Sequence, residues 1–237
     1  MMSKNQKKQS LATKVGPLLQ ILTGEVLFAG TLSKILLSSP DAAFVSSLFE
    51  NEVFLESPIG MNNEKVNQGL MLINTWFGEQ KKGIDQNIQR GLKIDYDNLF
   101  FTNGGVTSPY ESVYLSKDHL LFEEQTILVR RWYAKYGLQA EQFNQIPDDH
   151  IGLELSFLGH LAMETITAID QDDEFKVAST LRGQLDFLKD HPTLWVDQWA
   201  DRVNSKAATD YYRGIALLVA GGINSLLVDL SSIAEID

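Results

Sequence analysis

The stretch of the chain with the most chemical promise is Ile146-Pro147-Asp148-Asp149-His150, two carboxylates and an imidazole in succession. One reading is a plain helix start. Proline suits a first turn, and carboxylates there complement the positive end of the helix dipole. The other reading is an anion–imidazole pair, Asp149 and His150, at an exposed helix end. Such a pair can grip a cationic or amide-bearing ligand, and the histidine can change charge near neutral pH. A metal-hydrolase version adds Glu154 and His160. Glu154 shares a face with His150, but His160 lies about 15 Å further along the axis and roughly 80° around it. The four do not close one site from this helix alone, and Asp-His reverses the His-Asp order of helical metal phosphohydrolases.

Other catalytic patterns fail. There is no Gly-x-Ser-x-Gly, and Gly104-Gly105 is not followed by the Lys-Ser/Thr of a phosphate loop. His119, His160 and His191 have no local serine partner. The chain has no cysteine, which excludes disulfides, thiolate metal sites and Cys nucleophiles and fits a reducing compartment. The segment Ser108-Pro109-Tyr110-Glu111-Ser112-Val113-Tyr114 either staples the core or supplies an aromatic wall beside a groove. Trp76, Trp132, Trp195 and Trp199 stand at helical spacing, which favours core positions. Arg130-Arg131 reads as a surface pair, and Gly221-Gly222 as a point of close helix packing.

The elements that must carry these residues read as helices. The six prolines separate long stretches, whereas an all-β chain needs frequent turn signals. Pro17 opens one helix, with apolar residues at 18, 19, 22, 26 and 29. A short helix covers 41–49. Asn63 caps a helix over 64–82, and further helices cover 84–101 and 123–136. Pro147 opens the next, and others fill 173–189, 192–204 and 207–230. The expected fold is therefore all-α, a single helical domain of roughly nine helices in two lobes. Residues 1–14 read as a mobile basic tail ahead of the helical domain over 15–237. The polar connection 138–146 reads as a hinge that could also open into a domain-swapped dimer.

The 237 residues carry 20 bases and 31 acids, a net charge of −11. Four lysines and no acid stand in the first 14 residues, so the remainder is more acidic still. Such a field disfavours nucleic acid and anionic lipid and attracts a basic partner. The apolar runs 18–37 and 215–228 are broken by Glu25 and Lys34 in one and by glycine and polar residues in the other, short of the about 20 uninterrupted residues of a membrane span. With no signal-peptide pattern at the start, a soluble cytoplasmic protein is expected. The absence of catalytic machinery favours a binding protein over an enzyme.

Four segments, taken in order, resemble the TorD/DmsD family of redox-enzyme maturation chaperones. Asp95-Tyr96-Asp97-Asn98-Leu99-Phe100 is similar to its acidic-Tyr-x-x-Leu-Phe element, and Pro109-Tyr110-Glu111-Ser112-Val113-Tyr114 to its Pro-aromatic-x-Ser-Val-aromatic element. Pro147-Asp148-Asp149-His150 resembles the Pro-x-Asp-His signature, and His191-Pro192-Thr193-Leu194-Trp195 the His-x-x-x-Trp element. Ile146 stands where the family usually has Glu, and Tyr110 where Trp is common. The resemblance implies a non-enzymatic cytoplasmic chaperone. It would bind the twin-arginine leader of a molybdenum reductase of the trimethylamine oxide or dimethyl sulfoxide type, and hold the apoenzyme for cofactor insertion. It implies no resident cofactor, weak GTP binding in some relatives, and a monomer or swapped dimer. The expected leader-binding residues are Asp149, His150, Tyr110, Ser112 and Trp76, with Asp149 against an arginine. The alternative client is a non-exported respiratory reductase such as nitrate reductase.

Overall fold

The structure is a computed structural model. It describes residues 4–80, 83–101, 107–118, 120–122, 124–140 and 146–234, with side chains from residue 15 onward. Among the described residues there are ten α-helices, one π-helical turn and no strand. The helices are α1 (Lys4–Leu37), α2 (Ala42–Glu50), α3 (Glu64–Glu79), α4 (Gln86–Tyr96), α5 (Ser112–Leu115), α6 (Glu124–Lys135), α7 (Ile151–Asp170), α8 (Glu174–Asp190), α9 (Pro192–Lys206) and α10 (Asp210–Ala234). The all-α expectation holds. The π-turn Asp97–Phe101 continues α4.

Local chemistry sets many of the boundaries. Asn63 caps α3 by accepting from the Lys65 and Val66 amides, and Asp85 caps α4 by accepting from those of Asn87 and Ile88. Asp41 and Asp173 do the same for α2 and α8. Gly137, at a φ of 72°, follows α6. Two expected starts differ. Helix α1 begins at Lys4, so Pro17 lies inside it and does not open it. Helix α7 begins at Ile151, so Pro147, Asp148 and Asp149 precede it and do not form its first turn.

Helix α10 runs through the centre of the core, where residues 214–223 are all buried. It packs on α3, α9 and α1, while α1 packs along α7. Paired glycines make the α3–α10 contact close: a Cβ on Gly214 would come within 2.5 Å of the Gly69 carbonyl oxygen. Gly221 serves the same contact, and Gly222 lets α1 approach α10. A Cβ would meet Val66 at the first and the Phe28 ring at the second. One core cluster draws on helices before and after the 138–146 connection. The expected hinge falls largely on 141–145, outside the described residues.

Two helical segments, Val15–Leu37 and Asp210–Ala234, are long and apolar enough to cross a membrane by length and composition. This corrects the expectation that no stretch reaches that threshold. For α10 the fold supplies a reason, because a helix buried on all sides reads as apolar all round.

Candidate functional site

Three of the four motif segments converge at the head of α7. The 109–112 segment runs antiparallel to 149–151. The Glu111 amide donates to the Asp149 carbonyl (3.0 Å), and the Ile151 amide donates to the Pro109 carbonyl (2.8 Å). Tyr110 and His150 face each other in the bridge between them, rings edge to face at 5.1 Å. Asp149 precedes the helix with its carbonyl committed to this pairing.

Asp149 is fully buried. One carboxylate oxygen accepts from the Ser112 amide (2.8 Å) and the other from the Thr126 hydroxyl (2.7 Å). The expectation of an exposed anion at a helix end is thereby corrected, because Asp149 ties the 112 segment and α6 together from inside. Asp148 is buried too, and accepts from Arg130 Nε (2.9 Å) and Nη2 (2.8 Å). Its carbonyl accepts from the Tyr133 hydroxyl (2.9 Å). Arg130 is therefore a structural partner and not merely a surface charge.

His150 is the N-cap of α7, its Nδ1 accepting from the Gly152 amide at 3.0 Å. Burial pushes its pKa down to about 3, so it stays neutral through the physiological range. This overturns the expectation of a charge change near neutral pH. Tyr110 is half-buried, and burial followed by the Asp149 charge raises its phenol above the usual value. Ser112 is fully buried, and its hydroxyl has no hydrogen-bond partner. The fifth expected residue, Trp76, lies elsewhere. It is buried on α3 in an aromatic group with Phe77 and Tyr211, 5.2 Å from each.

Directly behind the bridge lies a buried acid cluster that motif reading left unassigned. Both oxygens of Glu111 approach His191 Nδ1, at 3.2 and 3.0 Å. Glu154, in the first turn of α7, is fully buried with neither oxygen hydrogen-bonded. Burial, then Glu111, push its carboxyl well above the usual range. Trp195, the last residue of the fourth motif, packs on Tyr114 at 5.2 Å, and its indole N–H is also unpartnered. The first motif has a different task. Asp95 accepts from the Ala208 and Thr209 amides and the Thr209 hydroxyl just ahead of α10, and the Tyr96 hydroxyl donates to the Leu36 carbonyl.

Beside the bridge a cavity of about 420 Å³ opens, lined by Leu37, Leu138, Ile146, Leu153 and Phe157 with His160 and Ser156 among the polar groups. Tyr133, which also lines it, donates its hydroxyl to the Asp148 carbonyl and so links the cavity to the motif turn. Among the described residues no three His, Asp or Glu side chains group so as to hold a metal ion. Asp149 has both oxygens occupied, and His150 Nδ1 is committed to its cap.

This arrangement, an all-helical fold with a Pro-x-Asp-His turn docked on a Pro-aromatic segment, defines a class of all-α protein. Residues 63–201 match the family model described as nitrate reductase delta subunit. The chain belongs to this family, the TorD/DmsD group that its motifs resemble. It is 31% identical over 134 residues to "Chaperone protein TorD" of Vibrio cholerae serotype O1, covering 56% of this chain and 59% of that protein. It is 28% identical over 181 residues to the TorD chaperone of Vibrio vulnificus, covering 75% and 76%. It is 25% identical over 148 residues to "Probable Tat proofreading chaperone DmsD" of Haemophilus influenzae, covering 62% and 66%. The chain thus spans about three fifths of the length of the Vibrio cholerae relative.

Proposed function

We propose that this protein is a non-enzymatic chaperone for the maturation of a redox enzyme, acting in the cytoplasm. It binds the twin-arginine leader of a molybdenum reductase and holds the apoenzyme until its cofactor is inserted. The observation that carries this reading is the convergence of Tyr110 and His150 beside an apolar cavity on an acidic chain whose relatives are named as TorD and DmsD chaperones. A twin-arginine leader has two guanidiniums followed by an apolar stretch. Its apolar part would enter the cavity at Leu138, Ile146, Leu153 and Phe157. The negative field would steer the basic part, and the Tyr110 ring offers a face on which a guanidinium can stack. Neutral His150 keeps its proton on Nε2, because Nδ1 is the acceptor in the cap, and that N–H would be the donor to a bound peptide. Asp149 acts through position, holding Ser112 and so Tyr110 in place. Trp76 belongs to the core in this reading.

The test is calorimetric titration with a twin-arginine leader peptide, a Lys-Lys version and two salt concentrations. Micromolar binding that weakens with Lys-Lys and with salt supports the reading; no binding to any leader refutes it. A second reading is favoured by the family description itself: the client is a non-exported nitrate reductase, and its N-terminal segment uses the same groove. Competition between the two peptide classes separates the readings.

A further inference from the structure

We propose that Glu154 carries a proton which it shares with Glu111 inside the fold, and that this proton fastens the 109–115 segment, with Tyr110, onto the head of α7 in its binding position. The inference deepens the proposed function and rests on it for the link to peptide affinity.

The geometry begins with Glu154, fully buried with two unpartnered carboxylate oxygens. Its polar neighbours are Glu111, Asp149 and the Trp195 indole. Asp149 is satisfied by Ser112 and Thr126. Glu111 faces His191, whose Nδ1–H tautomer donates to it. Two adjacent carboxylates in a low-dielectric interior do not both ionise. Glu111 has the donor, so Glu111 keeps the charge and Glu154 keeps the proton. The Glu154 O–H then has Glu111 as its natural acceptor. Burial and the neighbouring acids raise the Glu154 carboxyl, in agreement.

Several cations of the elements around α7 have partners of their own. Arg130 on α6 holds Asp148, and Arg202 on α9 lies over the Tyr114 ring. Lys176 and Arg182 on α8 pair with Glu164 and Asp186. On α1, Lys34 lies over Phe44, and Glu25 accepts from Gln184. Tyr133 on α6 feels both acids of the pair, and its phenol is raised by burial first. His191 and Asp149 are the groups that face the pair directly.

Glu111 lies between Tyr110 and Ser112, and its amide is one of the bonds that dock the segment. Loss of the proton sets two like charges against each other across that junction. The neutral form is complete at low pH and is lost as pH rises, so the segment lifts and peptide affinity falls on the alkaline side.

The experiment uses the full chain carrying Glu25→Gln, because Glu25 itself titrates near pH 8. Affinity for the twin-arginine leader and amide exchange at Glu111 and Ser112 are followed from about pH 6 to about pH 9.5. In the parent, affinity should fall and the protection of both amides, taken relative to the intrinsic base-catalysed exchange rate at each pH, should decrease as pH rises. Glu154→Gln supplies an uncharged N–H donor toward Glu111. It should bind within about threefold of the parent at neutral pH and lose the alkaline decline. Glu154→Ala has no donor, and should bind about tenfold more weakly and exchange faster at every pH. The inference is overturned if Glu154→Gln retains the parental pH profile, or if Glu154→Ala behaves like Glu154→Gln. If the parent binds no leader at any pH, the functional reading fails, and the exchange profiles alone still decide the shared proton.

Discussion

Glu25 offers a sharp stability prediction. It stands in the middle of α1 and is fully buried, one oxygen accepting from the Gln184 side-chain amide of α8. The other oxygen and the Gln184 amide oxygen are both unpartnered acceptors. A proton on Glu25 is the donor this pair lacks. Burial pushes the Glu25 pKa from 4.5 up to about 8, with the Gln184 bond pulling modestly the other way. The unfolded chain therefore ionises Glu25 well before the folded one does. Stability is full below about pH 4.5, declines as pH rises, and levels off above about pH 8. At about 1.36 kcal/mol per pH unit, ionisation costs under about 1 kcal/mol at pH 5, about 3 at pH 7 and roughly 5 on the plateau. Glu25→Gln keeps the shape, supplies an N–H toward Gln184 and cannot ionise. Urea unfolding of the two proteins at matched pH should give a stability difference that grows from pH 5 to pH 8 in favour of Gln. Any fixed packing cost offsets that curve without changing its slope. Parallel pH profiles for the two proteins would refute the reasoning.

Four further outcomes follow from the geometry. Asp149→Ala orphans the Ser112 amide and the Thr126 hydroxyl, and should cost about 2–4 kcal/mol in urea unfolding, with weaker leader binding alongside. His150, neutral in the fold with its pKa lowered to about 3, should make stability fall as pH drops below about 6.5 and level off near 3; His150→Asn should flatten that acid limb in thermal melts. Asp95→Ala removes the acceptor for two amides and a hydroxyl ahead of α10 and should cost about 1–2 kcal/mol by denaturant titration. Gly214→Ala should destabilise by about 1–3 kcal/mol because its Cβ meets the Gly69 carbonyl and Ile73, whereas Gly91→Ala, with nothing within 4 Å, should stabilise α4 by about 0.5–1 kcal/mol.

Helix identity was legible because its determinants are local. Asn63 and Gly137 mark boundaries by chemistry within a few residues, and apolar spacing supplies the faces. The glycine pair at 221 and 222 could be read as close packing for the same reason. What escaped the sequence depends on partners far along the chain. Asp149 is buried because Ser112 and Thr126 lie across from it, and nothing within the Pro147–Leu155 stretch indicates that. Asp95 holds the turn ahead of a helix more than a hundred residues later. Glu25 read as an interruption of an apolar run, yet it is inside the core because Gln184 meets it there. Glu111 and His191 each stood in a recognised motif, but their pairing appears only once the 109–112 segment and the start of α9 are brought together. Trp76 was ambiguous by residue type, and its aromatic neighbours place it in the core.

The central position of α10 has a consequence for how the chain is made. The last long helix is the one against which α1, α3 and α9 close. During synthesis the earlier helices can form and α1 can meet α7, but the faces of α3 and α9 that pack on α10 lack that mate until residues 210–234 leave the ribosome. The nascent chain must therefore carry those faces uncovered until α10 emerges.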